Sequence, residues 1–431
     1  MTTLSGERTI NRRAIEALRN GVPNEDAVRV LGCNQPEVES RFRAQLVELD
    51  GSADRDCQVP GMLIAGDFGT GKSHVLEYLA HLAVAENFVV SRIVISKETP
   101  LYDPARVFRA AVDSAQVPGL TGPAIHEIAG DLKQDSAAYA DLYRWANQDD
   151  SGVAPIFAAT LLLHERLNSD PDLAEEVRNF WAGENLPVRR VRDGLRQIGE
   201  LAAFSIRTVK ARELAEQRFS FAARLIRGAG YRGWVLLIDE LELIGRYSLL
   251  QRARSYSELA RWMGQVEDLQ HPGLTAVAAV TDDFDLAILQ QKGDRDNVGF
   301  KLRDRGTDEF MALAARAEAG MRIVEREAVT LEPPTASSLE SMHLRLREIH
   351  AQAYDWEPPP VQSGAISISK AMRSHVRRLI NEWDLLRLYP GAGIHTEEQE
   401  LHTTYTEDEA LEQPSELTDP SEEDTPVDPV S

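Results

Sequence analysis

Eight consecutive residues, Gly66-Asp67-Phe68-Gly69-Thr70-Gly71-Lys72-Ser73, place Gly66 and Gly71, with four residues between them, ahead of a lysine and a serine, the pattern of a loop that cradles phosphate. Glycines let such a loop turn its backbone N–H groups inward, and a helix opening at Lys72 adds the partial positive charge of its N-terminus. Lys72 would reach the outer phosphates of a nucleoside triphosphate and Ser73 would ligand Mg²⁺. The nucleotide-binding stretch is taken through His74; the imidazoles of His74 and His81, at helical spacing, read as surface groups rather than ligands.

A triphosphate site needs acidic groups as well. Gly233–Glu240 is an apolar run that ends in Asp239-Glu240, where Asp239 would hold Mg²⁺ through water and Glu240 would polarise the attacking water as general base. That assignment asks the run to be a strand lying next to the one that precedes the glycine loop. A further apolar strand, Leu274–Val280, runs into Thr281-Asp282-Asp283, at the end of a parallel strand where ligands gather. Thr281 or Asp282 could sense the terminal phosphate, or the segment could cap a helix over Phe284–Leu289. Arg373 and Arg377, four apart on one helical face, are candidates to neutralise transition-state charge, and Arg303 and Arg305 could reach a neighbouring subunit. The chemistry expected is hydrolysis of ATP with Mg²⁺, with Glu240, Lys72, Asp239, Thr281 and Arg373 as its catalytic set.

The elements that must position these residues follow from periodicity. Apolar residues recur at helical spacing over Asn11–Leu49, with a break at Gly21-Val22-Pro23-Asn24. Met62–Ala65 reads as a buried strand between glycines, Lys72–Ala85 as a helix, and Phe88–Ile95 as a second strand followed by a helix from Pro104. Strand, loop and helix in alternation predict a parallel sheet with helices on its faces. A long helical stretch covers about 118–230, strands follow at Trp234–Ile238 and Leu274–Val280, and a last short one at Ala328–Leu331. Two helices, Ser337–Tyr354 and Ile366–Leu388, flank Pro358-Pro359-Pro360 and suit a small lid. Four parts result: an N-terminal helical segment (1–58), an ATPase core (59–332) with its insertion, a lid (333–395) and an acidic tail (396–431). The two short helices within Asp26–Leu46 read as packing elements rather than a DNA-reading helix-turn-helix.

Composition limits the remaining classes. The chain has 431 residues, 43% hydrophobic and 27% charged, with a formal net charge of −22. The segment from Thr396 holds thirteen acids and no Lys or Arg, is nearly free of aromatics, and reads as disordered; the rest is only mildly acidic. Cys33 and Cys57 lack metal-ligand spacing and suit a reducing compartment. With no apolar h-region in Met1–Arg13 and no run approaching about 18 apolar residues, a soluble, cytoplasmic protein is expected. One stretch is basic: between Pro187 and Gly230, ten Arg or Lys stand against four acids, among them Arg189, Arg190, Arg192, Arg196, Arg207, Lys210 and Arg212. It could touch nucleic-acid phosphates or an acidic partner, or be a solvated helical face.

The chain resembles the BREX-system ATP-binding family, the BrxD-like proteins of bacterial anti-phage islands. The resemblance lies in Gly21–Leu31, Gly66–Leu79, Val89–Val112 with its Ile95-Ser96-Lys97-Glu98-Thr99-Pro100-Leu101, Trp234–Met263 with its Arg246-Tyr247-Ser248, and Met372–Leu388 with its Trp383-Asp384-Leu385. It implies an AAA+-like P-loop ATPase related to origin-recognition-type proteins, working beside helicase and methyltransferase components in phage defence. The first reading of its role is a motor or loader acting on DNA or a DNA-bound complex through the basic stretch, and the competing one a nucleotide-dependent switch or scaffold. The long stretch from Lys72 to Asp239 implies a helical insertion, and no winged helix is expected after the lid, which counts against direct binding of duplex DNA.

Overall fold

The structure is a computed structural model that describes residues 2–21, 24–52, 57–120, 122–166, 170–266, 270–360 and 372–390. The acidic tail expected from Thr396, and the first residues of the helix expected from Ile366, lie outside the described residues. Five strands form one parallel sheet: β1 (Met62–Ala65), β2 (Val89–Val94), β3 (Trp234–Asp239), β4 (Leu274–Val280) and β5 (Val329–Thr330), in the order β2-β3-β4-β1-β5. Their registers pair Ile64 with Ala279, Leu237 with Val277, and Ile93 with Ile238. The α/β class expected from the alternating pattern is therefore observed. One expectation is overturned: β3 does not lie next to β1, because β4 is inserted between them. Local patterns of apolar residues specify strands but not which strand takes the central place.

The central strands carry apolar side chains on both faces because both faces are covered. On one face Met62, Ile64, Val235, Leu237, Val277 and Ala279 pack against Phe42, Leu46 and Leu49 of α3 (Pro36–Gly51), and against Val75, Leu76 and Leu79 of α4 (Lys72–Ala85). The short helix α2 (Glu25–Leu31) precedes α3, and α1 (Thr2–Asn20) leads the chain. Gln45 on α3 reaches over the sheet's lower edge and donates to the carbonyls of Pro60 and Ala276 at 3.0 and 3.2 Å. The pair α2–α3 is thus built into the body by packing.

The opposite face is covered by α5 (Pro104–Asp113) and by the inserted helices α6 (Ala124–Asp131), α7 (Ala137–Ala146), α8 (Pro155–Arg166), α9 (Pro171–Trp181), α10 (Val188–Gln197) and α11 (Ala211–Gly228). Phe219 on α11 anchors this layer, with its ring centroid 4.9 Å from Phe108 of α5, 5.8 Å from Trp234 of β3 and 4.7 Å from Trp262. Aromatic pairs of this kind add about 0.5–1.5 kcal/mol each beyond the area they bury.

After β3 come α12 (Leu249–Trp262), α13 (Asp294–Arg303) and α14 (Asp308–Arg326). Helices α12 and α14 approach so closely that a Cβ on Gly320 would meet the carbonyl oxygen of Tyr256 at 2.0 Å. A buried ion pair ties α12 to the start of α13: Arg252 grips Asp294 with Nε at 2.7 Å and Nη2 at 2.9 Å, and the Tyr256 hydroxyl donates to Asp294 at 2.8 Å. Arg252 also donates to the Tyr247 carbonyl, which joins the turn after β3 to the segment after β4.

The last helices, α15 (Ala336–Tyr354) and α16 (Met372–Leu388), pack with α1 and α2 from the head of the chain around a separate core of Ile15, Leu18, Leu346, Leu379, Ile380 and Trp383. Asp384 is its polar hub, bonded by Arg19 at 2.5 Å, His350 at 3.2 Å and Arg387 at 3.3 Å. Arg8 and Arg12 both donate to the Ala353 carbonyl at the end of α15, where cations offset the helix dipole.

Removing one partner of a buried pair leaves an uncompensated charge, at a cost of about 3–5 kcal/mol. Asp294→Ala is therefore expected to lower the stability of the sheet body by that amount, read from urea unfolding. Stability within about 1 kcal/mol of the parent would show that the Arg252 pair does not hold these segments.

Candidate functional site

The loop 66–73 leaves the carboxyl end of β1 and enters α4 without interruption. Gly69 and Gly71 have φ of +77° and +108°, conformations that L side chains avoid, and a Cβ on Gly66 would stand 2.7 Å from Thr70 Oγ1. No side chain caps α4 at Gly71, which leaves its first-turn N–H groups without a side-chain acceptor, a setting suited to an anion. Lys72 is buried with 8% of its surface exposed. Its ammonium folds back on the loop, donating to the Gly66 carbonyl at 3.0 Å and the Asp67 carbonyl at 3.4 Å. Ser73 is half-buried at the same helix start.

Although β4 separates them, β3 and β1 end on the same side of the sheet, and their termini share one electrostatic environment. Asp239 is half-buried and accepts the N–H of Glu240 at 2.9 Å. Glu240 sits at φ +61°, a backbone strain often found where a side chain is held for a task. Burial and the neighbouring Asp239 raise its carboxyl above the ordinary range, against the pull of Lys72 and Arg373. The end of β4 belongs to the same environment: burial, Asp67 and Asp283 raise Asp282, while Lys72 lowers it. Thr281 is buried, and its carbonyl accepts the N–H of Phe284 at 3.2 Å. The helical turn beyond is Asp285–Gln291 rather than Phe284–Leu289, so Thr281 closes a turn ahead of it.

Sequence reasoning missed Glu242. It lies on the tight turn Leu241–Arg246 just after the acidic pair, with its side chain only 4% exposed and Oε1 3.9 Å from Lys72 Nζ. Burial pushes this carboxyl up to about 7, with Lys72 pulling it down. A usable signal was present: an acid set among Leu241, Leu243 and Ile244 cannot readily face water.

The lid contributes from above. The backbone N–H of Arg373 donates to the Gly69 carbonyl at 3.3 Å, and its guanidinium lies 5.9 Å from the Phe68 ring. Arg377 lies beside it, the two side chains meeting at Gly21, and donates to the Arg19 carbonyl at 3.1 Å. Arg303 is paired with Glu318 at 2.6 Å and Arg305 lies over the Phe310 ring at 4.5 Å. His74 and His81 are half-buried, correcting their surface reading: His74 Nε2 lies 2.7 Å from the Gly32 carbonyl, and His81 lies 3.5 Å from Glu25. Both contacts dock α4 against α2. Burial lowers the His74 pKa.

Between the loop, α2–α3 and the lid lies a cavity of about 570 Å³, lined by Gly32, Cys33 and Tyr78 on one side, Gly71 and Val75 at its floor, and Met342, Met372 and Val376 above. Gln35 bridges its rim, donating to the Glu332 carbonyl at 3.0 Å and accepting the Glu332 N–H at 2.9 Å. Its size and mixed lining suit a base and sugar. The residues present therefore fit a nucleotide, with Ser73 and Asp239 as the groups that could hold a divalent cation beside it. Cys33, on this wall, and Cys57 are both free thiols.

The basic stretch is largely engaged within the molecule. Arg190 pairs with Glu176 at 2.8 Å, Arg196 with Asp193 at 2.5 Å and Arg212 with Glu258 at 2.9 Å, while Arg192 donates to the Ile206 carbonyl. Arg218 and Arg224 lie over the rings of Phe180 and Trp145. Arg189, Arg207 and Lys210 stand exposed.

Among the described residues no helix is long and apolar enough to cross a membrane. The profile of the family described as BREX system ATP-binding protein BrxC/D matches residues 7–185 and 206–384, and no curated relative or solved structure matches significantly. The glycine loop, the acidic end of β3, Glu242 and Arg373 all fall inside the matched stretches, whereas α10 of the basic stretch falls in the gap between them. The chain belongs to the BREX system ATP-binding BrxC/D family, and its role is that of a BREX-associated ATP-binding protein.

Proposed function

We propose that the chain is an ATP-hydrolysing P-loop ATPase of AAA+-like plan, working within a BREX phage-defence system. One observation carries this reading: the Gly66–Ser73 loop, with Lys72 buried in it and an uncapped helix behind it, opens onto the cavity beneath the lid. The base and ribose would occupy that cavity and the phosphates the loop, with Lys72 turning toward the β- and γ-phosphates. Bound Mg²⁺, held by Ser73 and through water by Asp239, would neutralise phosphate charge. Glu240, its carboxyl raised above the ordinary range by burial and Asp239, would accept the proton of the attacking water. Thr281 at the end of β4 would sense the terminal phosphate, and Arg373, docked on the loop, would offset charge that develops in the transition state.

What the cycle acts on is proposed in two forms. In the first, the protein is a motor or loader on DNA or a DNA-bound complex, alongside helicase and methyltransferase components, with Arg189, Arg207 and Lys210 of the 187–230 region as contacts. In the second it is a nucleotide-dependent switch for partner proteins in the cytoplasm, including a homo-oligomer of its own. The internal pairing of Arg190, Arg192, Arg196 and Arg212 favours the second.

Lys72→Ala is expected to abolish retention of labelled ATP in the presence of magnesium. Glu240→Gln should keep ATP affinity within about twofold and lower turnover by about a hundredfold or more; normal turnover would remove Glu240 from the role of base. Duplex or single-stranded DNA should stimulate turnover less than about twofold, with little dependence on salt, if the switch reading holds. Strong stimulation that collapses as salt rises would return the loader reading to first place.

A further inference from the structure

Lys72 has three donor directions, and each meets a partner: the carbonyls of Gly66 and Asp67, and Glu242 Oε1 at 3.9 Å. Glu242 is the more confined member of this pair. Its side chain is 4% exposed and its Oε2 has no hydrogen-bond partner among the described residues. The charges that face it are Lys72 on α4 and the carboxylates of Asp239 and Glu240 at the end of β3. Of the other elements packed on its turn, β4 carries no ionisable side chain, Arg252 of α12 is engaged by Asp294, and Lys292 donates to the Gly245 carbonyl of the turn at 2.8 Å. A carboxylate this enclosed keeps its charge only while an ammonium lies beside it.

Triphosphate binding calls on the same ammonium. Once Lys72 swings to phosphate oxygens, Glu242, only 4% exposed, is left facing two carboxylates and a metal–triphosphate complex that is still net negative, and the neutral acid becomes the lower-energy form. We propose that Glu242 is a positioning residue that parks Lys72 in the resting loop, and that nucleotide entry moves Lys72 to the phosphates while Glu242 takes up one proton from solvent. No covalent bond to phosphorus changes in this step; one ion pair replaces another, and a proton passes from buffer to a Glu242 oxygen. The inference rests on the nucleotide-loop reading above. Burial has already brought this carboxyl to about 7 in the resting state, and losing Lys72 raises it further, so uptake is expected on the alkaline side of neutrality.

The sign of the linkage is fixed: binding that consumes a proton weakens as pH rises, by up to about tenfold per unit above pH 7. The test is calorimetric titration of the full chain with Mg²⁺ and the slowly hydrolysed analogue ATPγS near pH 8, in buffers of different ionisation enthalpy. The wild-type protein should take up close to one proton per nucleotide. Glu242→Gln should take up none, lose the pH dependence, and bind about tenfold more tightly at that pH, since an amide cannot hold Lys72 as an ion pair. Absence of proton uptake by the wild type overturns the proposal without reliance on any variant. So does a folded Glu242→Gln protein with unchanged or weaker affinity and wild-type buffer dependence. If the wild type retains no nucleotide at any pH, the loop reading itself fails, a result distinct from tight binding without proton exchange.

Discussion

An ammonium group taken out of water must be matched by oxygen atoms, and Lys72 shows how much of the molecule that requirement shapes. Its partners come from two places distant in sequence, the glycine loop after β1 and the turn after β3. They meet only because a parallel sheet brings the carboxyl ends of its strands to one edge. The sheet in turn holds those ends in place because its strands are buried on both faces, by α3 and α4 on one side and by the aromatic layer around Phe219 on the other. Each layer of packing thus ends in a constraint on where a few charges can sit.

The same edge concentrates opposing demands. Glu240, Glu242 and Asp282 feel one lysine, with Asp239 beside the first two, and burial raises all three above ordinary carboxylate values. Such an excess of acid is unfavourable unless cations arrive. Among the described residues only Lys72 and the lid's Arg373 pull against the raised carboxyl of Glu240.

Legibility from sequence differed by element, for physical reasons. The limits of β1 and α4 follow from the residues alone, because a short apolar run between glycines and an uninterrupted helical pattern leave little alternative. The insertion of β4 between β1 and β3 was not legible, since an apolar strand carries no record of its neighbours. Glu242 escaped notice because the adjacent Asp239-Glu240 pair matches a motif and the residue two places on does not. The basic stretch was legible only as charge, since a count along the chain cannot show that Arg190 and Arg212 find acids on α9 and α12. Arg373 and Arg377 share a helical face and both pack at Gly21, with the Arg373 backbone bonded to the glycine loop and the Arg377 guanidinium to the end of α1, partners that helical spacing alone does not name.

The helical cover over the nucleotide cavity joins residues from opposite ends of the chain, with Arg19 on α1 clasping Asp384 on α16. Ribosomal synthesis proceeds from the amino end, so α1 and α2 must wait, their apolar stripe of Ile15 and Leu18 uncovered, until more than three hundred further residues have been made. The sheet and its glycine loop can assemble during that interval, but the roof over them cannot. A nascent chain therefore carries an open cleft until α15 and α16 emerge, and the cavity gains its roof only when these helices meet α1.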